Sequence, residues 1–296
     1  MRSTSRWVIV SEEKLFAMFG LWKAFRRRKL LKRPVPETWI PFVEEYLFLH
    51  TEFSPEQKER FWDHLKVLLW EKHWVGAAGF ELSERTRVII AAQGARMGRG
   101  LPLSIFDRLQ EFVIYGEDFI HPDDDFPDTP THGEAHPFGT VVLSWPAVLE
   151  GLEYPCSGYS PVLHELAHIL DLTNGYFDGT PLLHSGKDYQ VWGEVFQKYF
   201  DQIRARPEES FLDLYGAGDE AEFFAVATES FFGIPEIVRE AAPDLFELLA
   251  GYYRVEPVEM ECSCESHDRG SHEEEEEMEE VGMPLFFPKD PLDNGF

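Results

Sequence analysis

The chain has 296 residues, 44% of them hydrophobic, enough for one large core or two small ones. Its formal charge of -27 excludes a folded body that grips nucleic acid, because a phosphate backbone demands a basic face. The longest apolar run near the start, Leu15 to Trp22, is too short to span a bilayer, and its basic cluster follows it instead of preceding it, so neither a transmembrane segment nor a secretory signal is expected.

Charge is spread unevenly. Residues 1–33 form a basic segment ending in Phe25-Arg26-Arg27-Arg28-Lys29-Leu30-Leu31-Lys32-Arg33. An amphipathic helix of this kind either touches anionic lipid or nucleic acid or is neutralised by the acidic protein itself, and the last is favoured. Residues 37–75 read as helices, because Trp39, Phe42, Val43, Tyr46 and Leu47, then Phe61, Trp62, Leu65, Leu68 and Leu69, recur at three- and four-residue spacing. Between them, Ser54-Pro55-Glu56-Gln57 is a helix start with a capping-box glutamine. His64 and His73 have no ligand spacing about them and read as surface or boundary residues. Glu84 to Met97 reads as a helix buried along Val88, Ile89, Ala92 and Ala95.

Two strands follow, Phe112 to Tyr115 and Thr140 to Trp145. The polar loop between them, His121 to Pro137, holds Asp123-Asp124-Asp125 but no regular ligand spacing, and reads as a loop at the rim of a site. A strand just before a metal-binding helix can offer its free edge to an extended peptide, and Thr140 to Trp145 is assigned that role here.

The stretch that carries chemistry is Ser160-Pro161-Val162-Leu163-His164-Glu165-Leu166-Ala167-His168-Ile169-Leu170-Asp171. Ser160 is an N-cap and Pro161 a first helical residue. Four residues make about one turn, so His164 and His168 share a face. Two imidazoles on one face can bind Zn²⁺, with Glu165 beside them as a general base. The competing reading is an amphipathic helix with two surface histidines; Leu163, Leu166, Ala167 and Leu170 argue against it by burying the other faces. Asp171 lies on the same side and is a candidate to hydrogen-bond a ligand's second ring nitrogen.

A catalytic site needs a third protein ligand and an open position. The helix Asp219 to Phe232, stopped by Gly233 and Pro235, offers Glu222 and Glu229 two turns apart on one side. Glu222 is preferred as ligand, with Glu229 as a supporting or surface group; an acid at a helix start is often only a dipole partner, so the choice rests partly on the resemblance given below. Tyr215, seven residues before Glu222, could steady an oxyanion or merely pack.

Taken together these residues resemble the Mlc titration factor A family of bacterial zinc peptidases, whose catalytic part resembles the metallopeptidase domain of anthrax lethal factor. The likeness rests on the motif from His164 to Asp171 with Asn174-Gly175 behind it, and on Tyr215 followed by Ala221-Glu222-Phe223-Phe224-Ala225-Val226. It also rests on Pro36-Glu37-Thr38-Trp39, Gly79-Phe80-Glu81-Leu82, Ile90-Ala91-Ala92-Gln93 and Val113-Ile114-Tyr115. The resemblance implies a zincin-like α/β (α+β) fold, mostly helical with a small mixed sheet over the motif helix. It implies His164, His168 and Glu222 as zinc ligands, Glu165 as base and Tyr215 as oxyanion partner. It implies a peptide or protein substrate, or, as the alternative, sequestration of a glucose-system transcriptional repressor called Mlc.

The expected organisation is a basic segment over 1–33, a metallopeptidase domain over 34–255 and an acidic, disordered tail over 256–296, with Glu273 to Glu277 in a row. The tail's Cys262, Cys264, His267 and His272 match no zinc module. Cys262 and Cys264 with Cys156 make three cysteines and no disulfide framework, which points to a reducing cytoplasm.

Overall fold

The structure is a computed structural model that describes residues 12–46, 53–119 and 132–257. The acidic tail with its Cys262, Cys264, His267 and His272, and the Asp123-Asp124-Asp125 stretch, lie outside the described residues.

Helices dominate. In order they are α1 (Glu12–Leu31), α2 (Trp39–Tyr46), α3 (Pro55–Glu71) and α4 (Glu84–Gly98), then α5 (Trp145–Glu153), α6 (Pro161–Asp171), α7 (Gly186–Ala205) and α8 (Glu220–Gly233), with α9 (Pro235–Ala241) and α10 (Pro243–Tyr253) closing the fold. Their starts are chemically marked. At α3 the expected capping box forms, with Ser54 Oγ accepting from Gln57 N at 3.2 Å and Gln57 Oε1 accepting from Ser54 N at 2.9 Å. Ser83 caps α4 in the same way, through Thr86 N at 3.0 Å. Each such cap satisfies a backbone donor the helix itself leaves open.

Four strands, β1 (His73–Gly76), β2 (Glu111–Tyr115), β3 (Gly133–Ala135) and β4 (Thr140–Ser144), form one sheet in the order β1-β2-β4-β3. The first three in that order run parallel, and β3 is antiparallel to β4. The fold is thus α+β, mostly helical, with a small mixed sheet against which α6 packs through β3 and β4.

One expectation fails here. Thr140 to Ser144 is not an edge, because it sits between β2 and β3; the edges are β1 and β3, and β3 is the one that lies against α6. His132 and His136 make the backbone bonds to β4, through Ser144 N to His132 O at 3.0 Å and His136 N to Thr140 O at 2.8 Å. By antiparallel alternation the N–H and C=O of Gly133 and Ala135 therefore point away from β4. The sequence hid this strand because it is three residues long and lies in a polar stretch.

The basic helix α1 lies on α3. Arg27 is buried and donates to Glu71 at 2.6 Å, to Asp107 at 2.8 Å and to the Leu103 carbonyl at 2.7 Å. His64 also departs from its surface reading: it is fully buried, with Nε2 donating to the Leu101 carbonyl at 3.1 Å. Burial lowers it to about 4, so the ring is neutral there. A continuous apolar core runs from Trp39 to Val255, and no helix of the described residues is long and apolar enough to cross a membrane.

Candidate metal centre

Two helices meet at the site. On α6, Ser160 Oγ accepts from Leu163 N at 3.3 Å and Pro161 occupies the first turn. That start sets the phase that turns His164 and His168 to one side. On α8, Asp219 caps Glu222 N at 2.9 Å, which places Glu222 in the first turn. The helix is then anchored by Phe223, Phe224, Phe231 and Phe232, all fully buried. Burying one such ring is worth about 1.5–3 kcal/mol, so α8 is held in place, its rings against those of α7 and α10, by packing that owes nothing to the polar site.

The polar atoms converge. His164 Nε2 lies 3.2 Å from His168 Nε2 and 3.0 Å from Glu222 Oε2, and His168 Nε2 lies 3.6 Å from the same oxygen. All three donor atoms fall within 4.8 Å of one another, and they are the one such group of three metal-ligating side chains among the described residues. Burial by itself would raise the Glu222 carboxyl, but its hydrogen bonds to His164 and His168 outweigh that and pull it to about 2. Burial alone would lower His164; the carboxylates of Glu222 and Glu229 drive it the other way, well above its ordinary value. A metal-free site of this kind holds a proton on His164 that a cation would displace.

Glu229 explains how one ligand ring is aimed. Its Oε1 takes the His164 Nδ1–H at 2.7 Å, and its Oε2 accepts from Ser160 N at 2.6 Å. A carboxylate on Nδ1 leaves Nε2 facing Glu222 and His168. Asp171 does not do this job. Its Oδ2 accepts from Gly179 N at 2.9 Å, and its backbone bonding extends to Thr180. From the last turn of α6 the side chain faces the loop beyond the helix, so it braces that loop instead of a ligand ring. Gly179 (φ +70) is required there, since a Cβ would come 2.2 Å from the Glu220 carbonyl. The braced loop sets Phe177 against His168, with ring centroids 6.0 Å apart.

Glu165 is 5% exposed and its Oε2 is buried without a hydrogen-bond partner among the described residues. Burial pushes its carboxyl up to about 7, against the pull of His164 and His168. β3 passes directly over it: a Cβ on Gly133 would stand 2.4 Å from Glu165 Oε1. Tyr215 lies in the 3₁₀ turn Leu214–Ala217, 63% exposed, with its ring 5.7 Å from that of His164. Gly133 and Phe177 were not singled out in the sequence; a glycine in a polar loop and an aromatic beyond a helix end carry no local signal of a site.

Two imidazole nitrogens and one carboxylate oxygen, with one ring oriented by a carboxylate behind it, are a donor set that suits a divalent ion of borderline softness such as Zn²⁺. The chain is 30% identical over 249 residues to an uncharacterized protein of Synechocystis sp., covering 80% of this chain and 90% of the relative. It is 28% identical over 220 residues to Mlc titration factor A of Yersinia enterocolitica, covering 69% of this chain and 81% of that one. The same protein of Yersinia pestis is 28% identical over 219 residues, covering 69% and 80%. Residues 22–254 match the family described as glucose-regulated metallo-peptidase M90. On that match, which takes in the whole of the site above, the chain belongs to the M90 metallo-peptidase family.

Proposed function

We propose that the chain is a zinc-dependent peptidase whose catalytic domain spans 34–255. The observation that carries this reading is the convergence of His164, His168 and Glu222 beside a buried Glu165. His164, His168 and Glu222 would hold the ion. When bound, zinc supplies Lewis-acid polarisation of a peptide carbonyl and lowers the pKa of a water molecule.

The chain's own groups do the rest. The Glu165 carboxylate accepts the proton of the attacking water and hands it to the leaving amine nitrogen. The Tyr215 phenol, exposed beside His164, donates a hydrogen bond to the oxygen that gains charge. The outward backbone groups of Gly133 and Ala135 pair with an extended substrate and bring its carbonyl over α6. Phe177 and Tyr215 flank the two ligand rings and give the substrate's side chains an apolar wall.

The experiment is cleavage of a mixed peptide library by the full chain with and without a chelator. Cleavage that stops with chelator and returns with zinc is the expected result; cleavage indifferent to chelator, or none with zinc present, overturns the reading. A narrower expectation concerns β3. Gly133→Ala places a methyl against Glu165 Oε1, so kcat should fall by about tenfold or more while zinc content stays the same. Unchanged kcat would mean that β3 yields and does not fix the base.

The name of the Yersinia relatives, Mlc titration factor A, favours a second reading, in which this chain titrates a Mlc-like transcriptional repressor and works in the cytoplasm beside it. A binder has no need of a buried carboxylate under a glycine, so Glu165 favours the peptidase. Pull-down of a purified repressor by the Glu165→Gln chain would separate binding from cleavage.

A further inference from the structure

The Ile90-Ala91-Ala92-Gln93 stretch puts an amide into an otherwise apolar helix. Gln93 is buried on α4, and its place in the fold explains it. Ser160 Oγ donates to Gln93 Oε1 at 2.9 Å, while Ser160 N donates to Glu229 Oε2 at 2.6 Å and Glu229 Oε1 takes His164 Nδ1–H at 2.7 Å. The four residues form an unbroken file of hydrogen bonds from α4 to the metal centre. Beside it lies a cavity of about 30 Å³ lined by Gln93, Arg96, Tyr159, Ser160 and Glu229. Gln93 Nε2 is buried without a partner among the described residues. Arg96 is also buried and gives one bond to the Phe232 carbonyl at 2.6 Å. The cavity has room for one water, and a free amide donor, a guanidinium and a carboxylate are the polar partners such a water needs.

We propose that Gln93 is a positioning residue for the metal centre: through Ser160, and through a water shared with Arg96, it holds Glu229 so that Nε2 of His164 faces the ion. This rests on the zinc reading above. Ser160 does two things at once, capping α6 and fixing Glu229, and Gln93 decides the direction of its hydroxyl. Without the amide, that hydroxyl and the Ser160 N–H lose their common reference. The Glu229 carboxylate can then drift from Nδ1, and the His164 ring can turn its Nε2 away from Glu222 and His168.

The test uses the full chain and zinc alone as probe. Gln93→Met keeps the volume and removes the amide. Loss of a partner behind a ligand costs about 10–100-fold in metal affinity, and that weakening is expected in a chelator competition. ¹H spectra of the metal-free protein should show the His164 Nδ1–H signal moving upfield as its bond to Glu229 loosens. Because Gln93 acts through Glu229, Gln93→Met added to Glu229→Gln should weaken binding no further than Glu229→Gln alone.

Unchanged affinity in Gln93→Met, or losses that add in the double variant, overturns the proposal. Arg96→Lys, which keeps the charge and loses the fork, gives the same reading if Gln93→Met does not fold. A wild-type chain that binds no zinc in the same titration removes the metal centre itself, whereas a wild type that binds and a variant that matches it removes only the relay.

Discussion

Glu165→Gln is expected to lower kcat/KM for peptide cleavage by roughly 10²–10⁴-fold and to leave zinc content unchanged. Glutamine matches glutamate in shape, so it fits the same slot beneath Gly133, where even a methyl would collide with the native side chain. It cannot take a proton. Glu165 is also not one of the three converging donors, so metal retention should not depend on it. A carboxyl that burial has pushed up to about 7 is suited to accept and return a proton near neutrality. Steady-state kinetics with elemental analysis reads both halves. Wild-type turnover would move the base elsewhere; lost zinc would make Glu165 a ligand or its support.

His164→Ala and Glu222→Gln should each weaken zinc binding by well over the roughly 10–100-fold that loss of a mere supporting partner costs. Glu222 is held near 2 by its histidine hydrogen bonds and is therefore anionic throughout the neutral range, bringing a full charge to the donor set. It is also the donor that comes from the second helix, so without it the site reduces to two nitrogens of α6. The scaffold should survive, because α8 is fixed by Phe223, Phe224, Phe231 and Phe232 and its start by Asp219. Chelator competition on folded variants, checked by circular dichroism, measures the loss. Affinity within a fewfold of wild type for Glu222→Gln would take that carboxylate out of the set.

Much of this was legible because helix phase is local. Ser160-Pro161 gives the start of α6, and the four-residue spacing of His164 and His168 follows from helix geometry alone. Gly218-Asp219 and Gly233 bracket α8 just as plainly. What closes across the core was harder to read. Spacing put Asp171 on the ligand side of α6, but not which of Asp171 and Glu229 would reach a ring nitrogen; Glu229, sixty-five residues from His164, takes that place and Asp171 turns to Gly179.

Sheet order was hidden for the same reason. β1 and β3 are four and three residues long, too short for alternation to declare itself, so the edge was assigned to β4. His64 misled in another way. A lone histidine on an apolar helix reads as a boundary residue until the Leu101 carbonyl that receives its proton comes into view. Gln93 left a trace, a single amide among Ile90, Ala91, Ala92 and Ala95, but its partner Ser160 is set by tertiary packing.

The most direct measurement is anomalous scattering at the zinc edge from crystals of the full chain grown with zinc. One peak about 2.0–2.2 Å from His164 Nε2, His168 Nε2 and a Glu222 oxygen is the predicted result. No peak there, or a peak that leaves Glu222 out while another side chain binds, would contradict the account.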